Sequence, residues 1–298
     1  MSDLVEPRKV DIVYETESPV LYEVDGAVAW ITLNRPEFNN AQNGQMTYAL
    51  DDAFNRAVQD DAVRAIVLGG NGKHFSAGHD IGTPGRDVHK HFENRLMVPG
   101  HVNKPAAELL YTREQEQYLG MCRRWRDISK PTIAMVQGAC VAGGLMLAWV
   151  CDLIIASDDA FFQDPVNRMG IPGVEYFAHG FELPPRVAKE FLLLGERMSA
   201  QRAEQFGMVN KVVSRAELRD AAASWAAKLA GQPRLGNWLT KQALNHVEEL
   251  RGKRTAMDAV FHMHHFAHAQ NDLVQGSAIA GLGAKEMAAA NKKQAGEG

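Results

Sequence analysis

Residues 132–156 read TIAMVQGACVAGGLMLAWVCDLIIA and contain the clearest fold signal in the chain. The short apolar run at 132–136 ends at Gln137-Gly138, as a buried strand would. The apolar residues 139–151 predict a buried helix with its lead-in, and residues 153–156 predict a second strand. A strand, a helix and a strand at this spacing form a βαβ unit. The sequence therefore predicts an α/β fold that contains a parallel sheet.

The segments on either side fit the same fold. Asp25-Gly26 separates two β-rich runs and predicts a hairpin turn. Residues 46–58 have the apolar spacing of an amphipathic helix, and residues 65–68 predict a further parallel strand. The last third of the chain has mostly helical patterns. We therefore expect an α/β core in residues 1–200 and a helical region in residues 201–298.

The composition is typical of a globular protein. The 298 residues carry 32 Lys and Arg against 36 Asp and Glu, a net charge of −4, and 46% are hydrophobic. These proportions exclude intrinsic disorder, and without a basic run we expect no nucleic-acid partner. The apolar stretch at 138–151 is too short to span a bilayer, so we expect no membrane partner either. Three scattered cysteines and a charged segment at 1–15, unlike a signal peptide, predict a cytoplasmic protein.

Two glycine-containing loops form the candidate ligand site. Residues 71–81 follow the strand at 65–68, and residues 137–147 follow the strand at 132–136. The carboxyl ends of parallel strands are where α/β sheets place ligands. In the second loop, Gly143-Gly144 precede an apolar helix, whose first N–H groups are free and lie at the positive end of the helix dipole. Two such N–H groups that converge on one oxygen form an oxyanion hole.

Several common functional motifs are missing from the sequence. It has no phosphate-binding P-loop, no HExxH, no GxSxG and no GxGxxG that opens a helix after a strand. One histidine cluster comprises His262, His264, His265 and His268. His264 and His268 would share a helix face, as a metal site requires, but no carboxylate or cysteine lies between His262 and Asp272. We therefore predict a polar helix face or an oligomer interface, and no metal site.

A series of short motifs runs in order from about residue 20 to about residue 215. They are Ile31-Thr-Leu-Asn-Arg-Pro36, Asn40-Ala41, Ala65-Ile-Val-Leu68, His74-Phe-Ser-Ala-Gly-His-Asp-Ile81, Lys130-Pro-Thr-Ile-Ala134, Gln137-Gly138, Gly143-Gly144, Cys151-Asp152-Leu153, Gly170-Ile-Pro-Gly173 and Gly207-Met-Val-Asn210. In this order and at this spacing, the chain resembles the enoyl-CoA hydratase/isomerase (crotonase) family.

The resemblance implies a spiral of ββα units and a helical C-terminal region that forms trimers or dimers of trimers. It implies acyl-CoA thioester substrates, with coenzyme A as part of the substrate and no separate cofactor. The thioester carbonyl would accept hydrogen bonds from the backbone N–H groups of His79 and Gly143. The family usually has a small residue at the position of His79. The imidazole is therefore either a bystander or an extra polar group near the thioester.

The resemblance also implies substrate-binding positions. Lys73 matches a basic position that often neighbours the CoA phosphates, with a solvated loop lysine as an equal alternative. Asp80 follows the first N–H donor and is expected to cap the segment after it. Asn40 and Ala41 match the loop that passes near the pantetheine and adenine. The full expected set of substrate-binding residues is Asn40, Ala41, Lys73, Ala77, Asp80 and Ile81.

The sequence departs from the family at the catalytic carboxylates. Hydratases of this family use two glutamates as general acid and base. At these positions the chain has Met146, three residues after Gly143, and Val166, which follows Pro165. Neither side chain titrates, so a substitute is needed for catalysis. The candidate substitutes are Glu175, which we prefer, and Asp164.

The segment between residues 82 and 129 is a third source of candidate carboxylates. It is longer than usual for the family, and long insertions of this kind tend to be functional. Residues 106–128 predict a helix that would cover the acyl pocket, and this helix carries Glu114 and Glu116. Its bulky residues would line either a wide pocket or an ordinary core; they include Phe92, Leu96, Met97 and Trp125.

Three functions are compatible with these observations. We favour an acyl-CoA enzyme that stabilises a thioester enolate and moves one proton with a single acid/base group, as isomerisation of a double bond requires. The alternatives are an enoyl-CoA hydratase that uses substitute carboxylates and a CoA-thioester-binding protein with little catalysis. A carboxylate within about 4 Å of the substrate's α- or β-carbon would distinguish catalysis from binding.

Overall fold

The computed structural model describes residues 17–83, 86–88 and 90–279, together with Glu286 and Ala289. The N-terminal segment 1–15, on which the signal-peptide argument rests, lies outside the described residues. Within them, no helix is both long enough and apolar enough to cross a membrane.

Among the described residues, nine strands form two sheets. They are β1 (Val20–Asp25), β2 (Val28–Leu33), β3 (Ala65–Gly70), β4 (Thr132–Val136), β5 (Ala139–Val141), β6 (Leu153–Ser157), β7 (Phe161–Gln163), β8 (Met198–Ser199) and β9 (Lys211–Val213). The main sheet has the order β1-β2-β3-β4-β6-β9, and the small sheet has the order β5-β7-β8. In the main sheet, β1 and β2 form the predicted antiparallel hairpin, and the other pairings are parallel.

The α-helices surround these sheets. They are α1 (Gly44–Gln59), α2 (Ala106–Glu114), α3 (Met121–Arg126), α4 (Gly143–Trp149), α5 (His179–Glu182), α6 (Pro185–Leu194), α7 (Ala200–Gln205), α8 (Leu218–Gly231), α9 (Arg234–Leu250) and α10 (Lys253–Gln275). Short 3-10 helices occupy Pro36–Phe38, Val166–Met169 and Arg215–Glu217. The predicted α/β fold and its helical C-terminal part are confirmed, although β9 extends the main sheet beyond residue 200.

Helices cover both faces of the main sheet, as parallel strands require. On one face, Trp30, Val67 and Ile133 pack with Leu218 and Ala222 of α8. The larger core on the other face includes side chains from α1, α3 and α4. The carboxyl ends of β3 and β4 therefore remain the place where loops of the sheet can meet a ligand.

The segment between β3 and β4 contains one long helix with a widened turn. The π-helical turn Gln115–Gly120 joins α2 to α3, so that residues 106–126 are helical throughout. Buried Glu116 anchors this helix to the preceding loop, because its carboxylate accepts hydrogen bonds from the N–H groups of Arg95 (2.6 Å) and Leu96 (3.2 Å). Single π-helical turns are frequent at functional sites.

Candidate active site

The helix at residues 106–126 is called the inserted helix below. A cavity of about 190 Å³ lies between this helix, the two glycine-containing loops and α10. Its volume is below the range of roughly 300–1,000 Å³ that is typical of pockets for drug-sized ligands. The apolar lining residues include Ile81, Val141, Val166, Met169, Ile171 and Val174. The polar and charged lining residues include His79, Arg86, Arg113, Glu114, Tyr118, Glu175, His264 and His268.

The two expected N–H donors lie in adjacent loops. Gln42 accepts a hydrogen bond from the N–H of Asp80 and donates one to the carbonyl of Gly78, both at 2.8 Å, so the N–H of His79 faces the other way. Within the described residues, neither His79 nor Gly143 donates its N–H to an acceptor. A Cβ on Gly78 would lie 3.1 Å from the nitrogen of Gly143, which shows how closely the loops approach.

Backbone strain accompanies the second donor. Ala142 immediately precedes Gly143 and has φ of 48° and ψ of −115°, in the region that favours glycine. Its N–H donates to the carbonyl of Gln163 at 2.9 Å, which helps to hold this conformation. Such conformations cost on the order of 1–3 kcal/mol and cluster at functional sites.

The side chain of His79 is part of the cavity wall. Its ring stacks on Tyr118 with 3.7 Å between the ring centroids, and a Cβ on Gly143 would lie 2.5 Å from its Cδ2 and Nε2 atoms. Burial, reinforced by the nearby Arg113 guanidinium, lowers the pKa of His79 to about 3, so the imidazole is neutral. Its Nδ1 atom lies 3.6 Å from Oε1 of Glu175, and its Nε2 atom has no hydrogen-bond partner.

Glu175, the preferred substitute, faces the cavity. Only 3% of the residue is exposed, and its Oε2 atom has no hydrogen-bond partner. Burial and then the carboxylate of Glu114 raise the pKa of Glu175 to about 8. A carboxyl group with a pKa in this range exchanges protons at physiological pH.

Glu114 of α2 is the second carboxyl group in the cavity. It lies within hydrogen-bonding reach of Glu175, and burial raises its pKa as well. Two neighbouring carboxyl groups cannot both ionise easily, so ionisation of one raises the pKa of the other. Sequence reasoning named Glu114 as a candidate but did not predict that it pairs with Glu175.

The other candidate carboxylates have structural roles. Asp164 is fully buried but does not line the cavity. Its Oδ2 atom binds Nε2 of His179 at 2.8 Å and accepts from the N–H of Val174 at 3.3 Å. These contacts fix the turn that carries Glu175, and they leave Asp164 outside the cavity in which we expected it as a substitute. Glu116 accepts the hydrogen bonds described above, which hold the inserted helix to the preceding loop.

The two positions at which the family has catalytic glutamates lie in different surroundings. Val166 lies in the cavity wall, whereas Met146 is buried in the core and does not line the cavity. The apolar surface around Val166 continues through Met169 and Ile171. This part of the cavity is suited to a hydrocarbon chain.

The expected substrate-binding residues divide into two groups. Ala77, Asp80 and Ile81 line the cavity, and Asp80 also forms the expected cap, since it accepts from the N–H of Thr83 at 3.0 Å. Asp80 is further paired with Arg35 at 3.0 Å. These contacts assign Asp80 to holding the loop.

Three expected substrate-binding residues lie outside the cavity. The Asn40 side chain ties its loop to the next one, because its Nδ2 atom donates to the carbonyls of Asn71 (3.0 Å) and His74 (2.8 Å). The carbonyl of Ala41 accepts a hydrogen bond from Arg35. Lys73 is exposed on the loop after β3, so its contact with CoA stays a prediction.

Three members of the histidine cluster, His264, His265 and His268, lie on the buried side of α10, which corrects our prediction of a polar helix face for them, whereas His262 is exposed. His264 and His268 are 3% and 7% exposed and line the cavity. Their Nδ1 atoms contact the carbonyls of Gly173 (2.8 Å) and Ala278 (2.6 Å), and their Nε2 atoms lie 2.9 Å apart. The hydrophobic spacing of α10 did not reveal this orientation because histidines occupy its buried face.

Glu114, His264 and His268 have the donor atoms of a metal site. One potential ligand atom from each lies within 4.8 Å of the others. However, the 2.9 Å between the two Nε2 atoms is a hydrogen-bond distance. Two nitrogens bound to zinc at 2.0–2.1 Å in tetrahedral geometry would lie roughly 3.3 Å apart. We therefore interpret His264 and His268 as a pair joined by a hydrogen bond between their Nε2 atoms.

The bulky residues of the inserted segment do not line the cavity. Phe92 stacks on Tyr48, Met97 is fully exposed, and Trp125 donates from Nε1 to Asp51 at 3.0 Å. The residues of this segment that do line the cavity belong to the inserted helix and include Leu110 and Arg113. Nothing in the sequence pattern singled out Arg113.

Comparisons with known proteins identify the family of this chain. The family model described as enoyl-CoA hydratase/isomerase matches residues 23–97 and 101–281. A Mycobacterium tuberculosis protein with a provisional name of enoyl-CoA hydratase is 38% identical, over 92% of this chain and 86% of its own. The 1,2-epoxyphenylacetyl-CoA isomerase of Escherichia coli is 34% identical, over 77% of this chain and 82% of its own.

A solved structure of the same family is also similar to this chain. The crystal structure of a probable enoyl-CoA hydratase from Mycobacterium smegmatis superposes with a TM-score of 0.79 and 42% identity, covering 88% of this chain and 99% of that one. This chain therefore belongs to the enoyl-CoA hydratase/isomerase family, whose members act on acyl-CoA thioesters.

Proposed function

We propose that this protein moves a proton on an acyl-CoA thioester through an enolate, with Glu175 as the acid/base group. The observation that carries the proposal is that the Glu175 carboxyl group faces a cavity bounded by the His79 and Gly143 loops. The raised pKa of Glu175 suits it to accept and return a proton near neutral pH. Isomerisation of a double bond needs only one such group.

The reaction would proceed in two steps. The ionised carboxylate takes a proton from the α-carbon, and the electrons of that C–H bond move to the thioester oxygen. The N–H groups of His79 and Gly143 stabilise the resulting negative charge. Glu175 then returns the proton to the γ-carbon of the conjugated enolate, which shifts the double bond. Because the imidazole of His79 is neutral, it adds no positive charge that would lower the pKa of Glu175.

Hydration is the second candidate, and the contact between Glu114 and Glu175 favours it specifically. A pair that holds one proton supplies a base and an acid at the same time. The carboxylate would take a proton from water as the water oxygen attacks the β-carbon, and the carboxylic acid would protonate the α-carbon. The relatives include both an isomerase and a protein with a hydratase name.

Exchange of the α-proton tests the enolate step without knowledge of the true substrate. We would incubate butanoyl-CoA with the protein in D₂O and follow deuterium at the α-carbon by mass spectrometry. Replacement of Glu175 by glutamine keeps the shape and removes the titrating group. We expect exchange to fall about 10²–10⁴-fold, the usual contribution of a general acid–base group.

Glu116→Gln is the matched control. It is the same substitution in another buried carboxyl group, in the inserted helix but outside the cavity. We expect exchange by this variant to stay within a few-fold of the wild type when thermal unfolding shows that it is folded. Equal exchange by Glu175→Gln and the wild type would disprove the role of Glu175. No exchange by the wild type, despite thioester binding, would favour a binding protein.

We also propose that the protein forms homotrimers. Large apolar side chains are exposed on the last two helices, and a second copy of the chain would cover them. They are Leu235, Trp238, Leu239, Leu244, Val247 and Leu250 of α9, and Met263, Phe266, Leu273 and Val274 of α10. Sedimentation at micromolar concentration should give three times the mass of one chain, and a monomer would contradict the proposal.

A further inference from the structure

Buried cations in this protein have close partners, as the cost of burying a charge requires. Each is satisfied by a carboxylate or by backbone carbonyls. The contacts are Arg35 with Asp80, Arg126 with Glu248 and Glu249, Lys241 with Asp152, Lys253 with Glu182 and Glu248, and Lys130 with the carbonyls of Ala57 and Asp60.

Arg113 is the exception among the described residues. Only 6% of it is exposed, and it lines the cavity. Its Nη2 atom donates to Oη of Tyr118 at 3.1 Å, and no carboxylate oxygen of the described residues lies within 4.0 Å of its nitrogens. The guanidinium has five N–H donors, so most of them remain available to a ligand in the cavity.

The nearby carboxyl groups are engaged elsewhere. The carboxylate of Asp87 accepts from the N–H groups of Gly44 (2.7 Å) and Gln45 (2.8 Å), at the start of α1. Glu114 and Glu175 contact each other. Glu114 and Asp87 attract the Arg113 charge without contacting it. A neutral acyl chain in the cavity would leave most of the guanidinium N–H groups without a hydrogen-bond acceptor and would remove their water.

We propose that Arg113 binds a carboxylate at the far end of the acyl group, so that the substrate is the CoA thioester of a short dicarboxylic acid. This inference rests on the proposed function, since it assumes a thioester in this cavity. The planar guanidinium matches a carboxylate with two parallel hydrogen bonds. The apolar residues Val166, Met169 and Ile171 offer a surface for the carbon chain, and the small cavity restricts its length.

Equilibrium binding of two thioesters tests this assignment. Glutaryl-CoA has a terminal carboxylate, and pentanoyl-CoA has the same number of acyl carbons without one. Both carry the same CoA phosphates, so a difference in affinity reports the acyl carboxylate alone. We expect wild-type protein to bind glutaryl-CoA about tenfold to a hundredfold more tightly, as measured by titration calorimetry, because charge-assisted hydrogen bonds have this strength.

Arg113→Met should abolish the preference, and Arg113→Lys should retain part of it. Lys104→Met is the matched control, because it removes a half-exposed positive charge outside the cavity; it should keep the full preference. Equal affinity of the wild type for the two thioesters would overturn the proposal even if the Arg113 variants did not fold. A preference that survives in folded Arg113→Met would also overturn it and assign Arg113 to balancing the charge of Glu114.

Failure of the proposed function would give a different result. A strong preference for glutaryl-CoA without α-proton exchange would support carboxylate binding and contradict the catalytic role. Exchange without any preference would support the catalytic role and overturn the carboxylate site.

Discussion

One wall of the cavity supplies backbone N–H groups, and the other wall supplies titratable side chains. The backbone wall consists of the loops around His79 and Gly143, which follow neighbouring strands of the main sheet. The opposite wall brings together Arg113 and Glu114 of the inserted helix, Glu175, and the histidines of α10. Backbone donors need small residues and tight turns, which leave a motif in the sequence. Side chains that meet from distant segments leave none.

Chemistry differs between the walls in the same way. The backbone wall offers N–H groups that keep their charge distribution at any pH, so it can stabilise an oxyanion in several reactions. The opposite wall contains the groups that gain and lose protons, and their pKa values depend on their contacts. We therefore expect the backbone wall to set the substrate class and the opposite wall to set the reaction.

Removal of one backbone donor should change the rate of α-proton exchange more than a substitution at Glu114 does. Gly143→Pro deletes the N–H at the first position of α4, where the N–H forms no hydrogen bond within the helix. Loss of one oxyanion-hole donor typically costs about 10²–10³-fold in turnover. We expect at least this loss in the rate of α-proton exchange.

Gly143→Ala is the control, because a Cβ at this position meets the His79 ring in both variants but alanine keeps the N–H. The alanine variant measures the cost of displacing the imidazole, and the further loss in the proline variant measures the donor. If both variants lost the same activity, the N–H of Gly143 would have no role, and the two walls would not differ as described.

Glu114→Gln tests the side-chain wall and should have a smaller effect. The Glu114 carboxylate raises the pKa of Glu175, so its removal should lower that pKa from about 8 towards the ordinary value for glutamate. With Glu175 as the base, the rise of exchange with pH should move to lower pH, and the rate at pH 6 should increase by about tenfold. Measurement of exchange from pH 5 to pH 9 checks this shift.

The same variant separates the two candidate reactions. If hydration needs both carboxyl groups, Glu114→Gln should lose about 10²–10⁴-fold in the hydration rate of the true substrate while it still exchanges α-protons. An unchanged pH profile would show that the two carboxyl groups do not interact, which would contradict the pair.

The fold could be predicted from the sequence because its signals are local. The Asp25-Gly26 turn and the run at 132–156 each contain the residues that specify their local structure. The positions of the two glycine-containing loops can be predicted because each loop comes directly after a predicted strand. Asp164 was a less successful prediction, since its position near Val166 in sequence does not reveal that it binds His179. The contacts of Glu175 and Arg113 depend on how the inserted helix and α10 pack, and local patterns do not contain that information.

Stability should show the smallest effect, and its pH dependence has a definite sign. Burial holds the pKa of Glu175 near 8, above 4.5 for an ordinary glutamate, so the native protein binds more protons than the unfolded chain between these values. The contribution of Glu175 to the free energy of unfolding therefore falls as pH rises from about 4.5 to about 8 and does not change further above that. Glu175→Gln removes this loss and should stabilise the protein at pH 8–9 by about 1–2 kcal/mol. We expect less than the full conversion of about 1.4 kcal/mol per pKa unit, because glutamine still buries a polar group. Thermal unfolding of both proteins at pH 5 and pH 9 measures the difference, and a stabilisation that is larger at pH 5 would mean that Glu175 is ionised and structurally paired in the native protein.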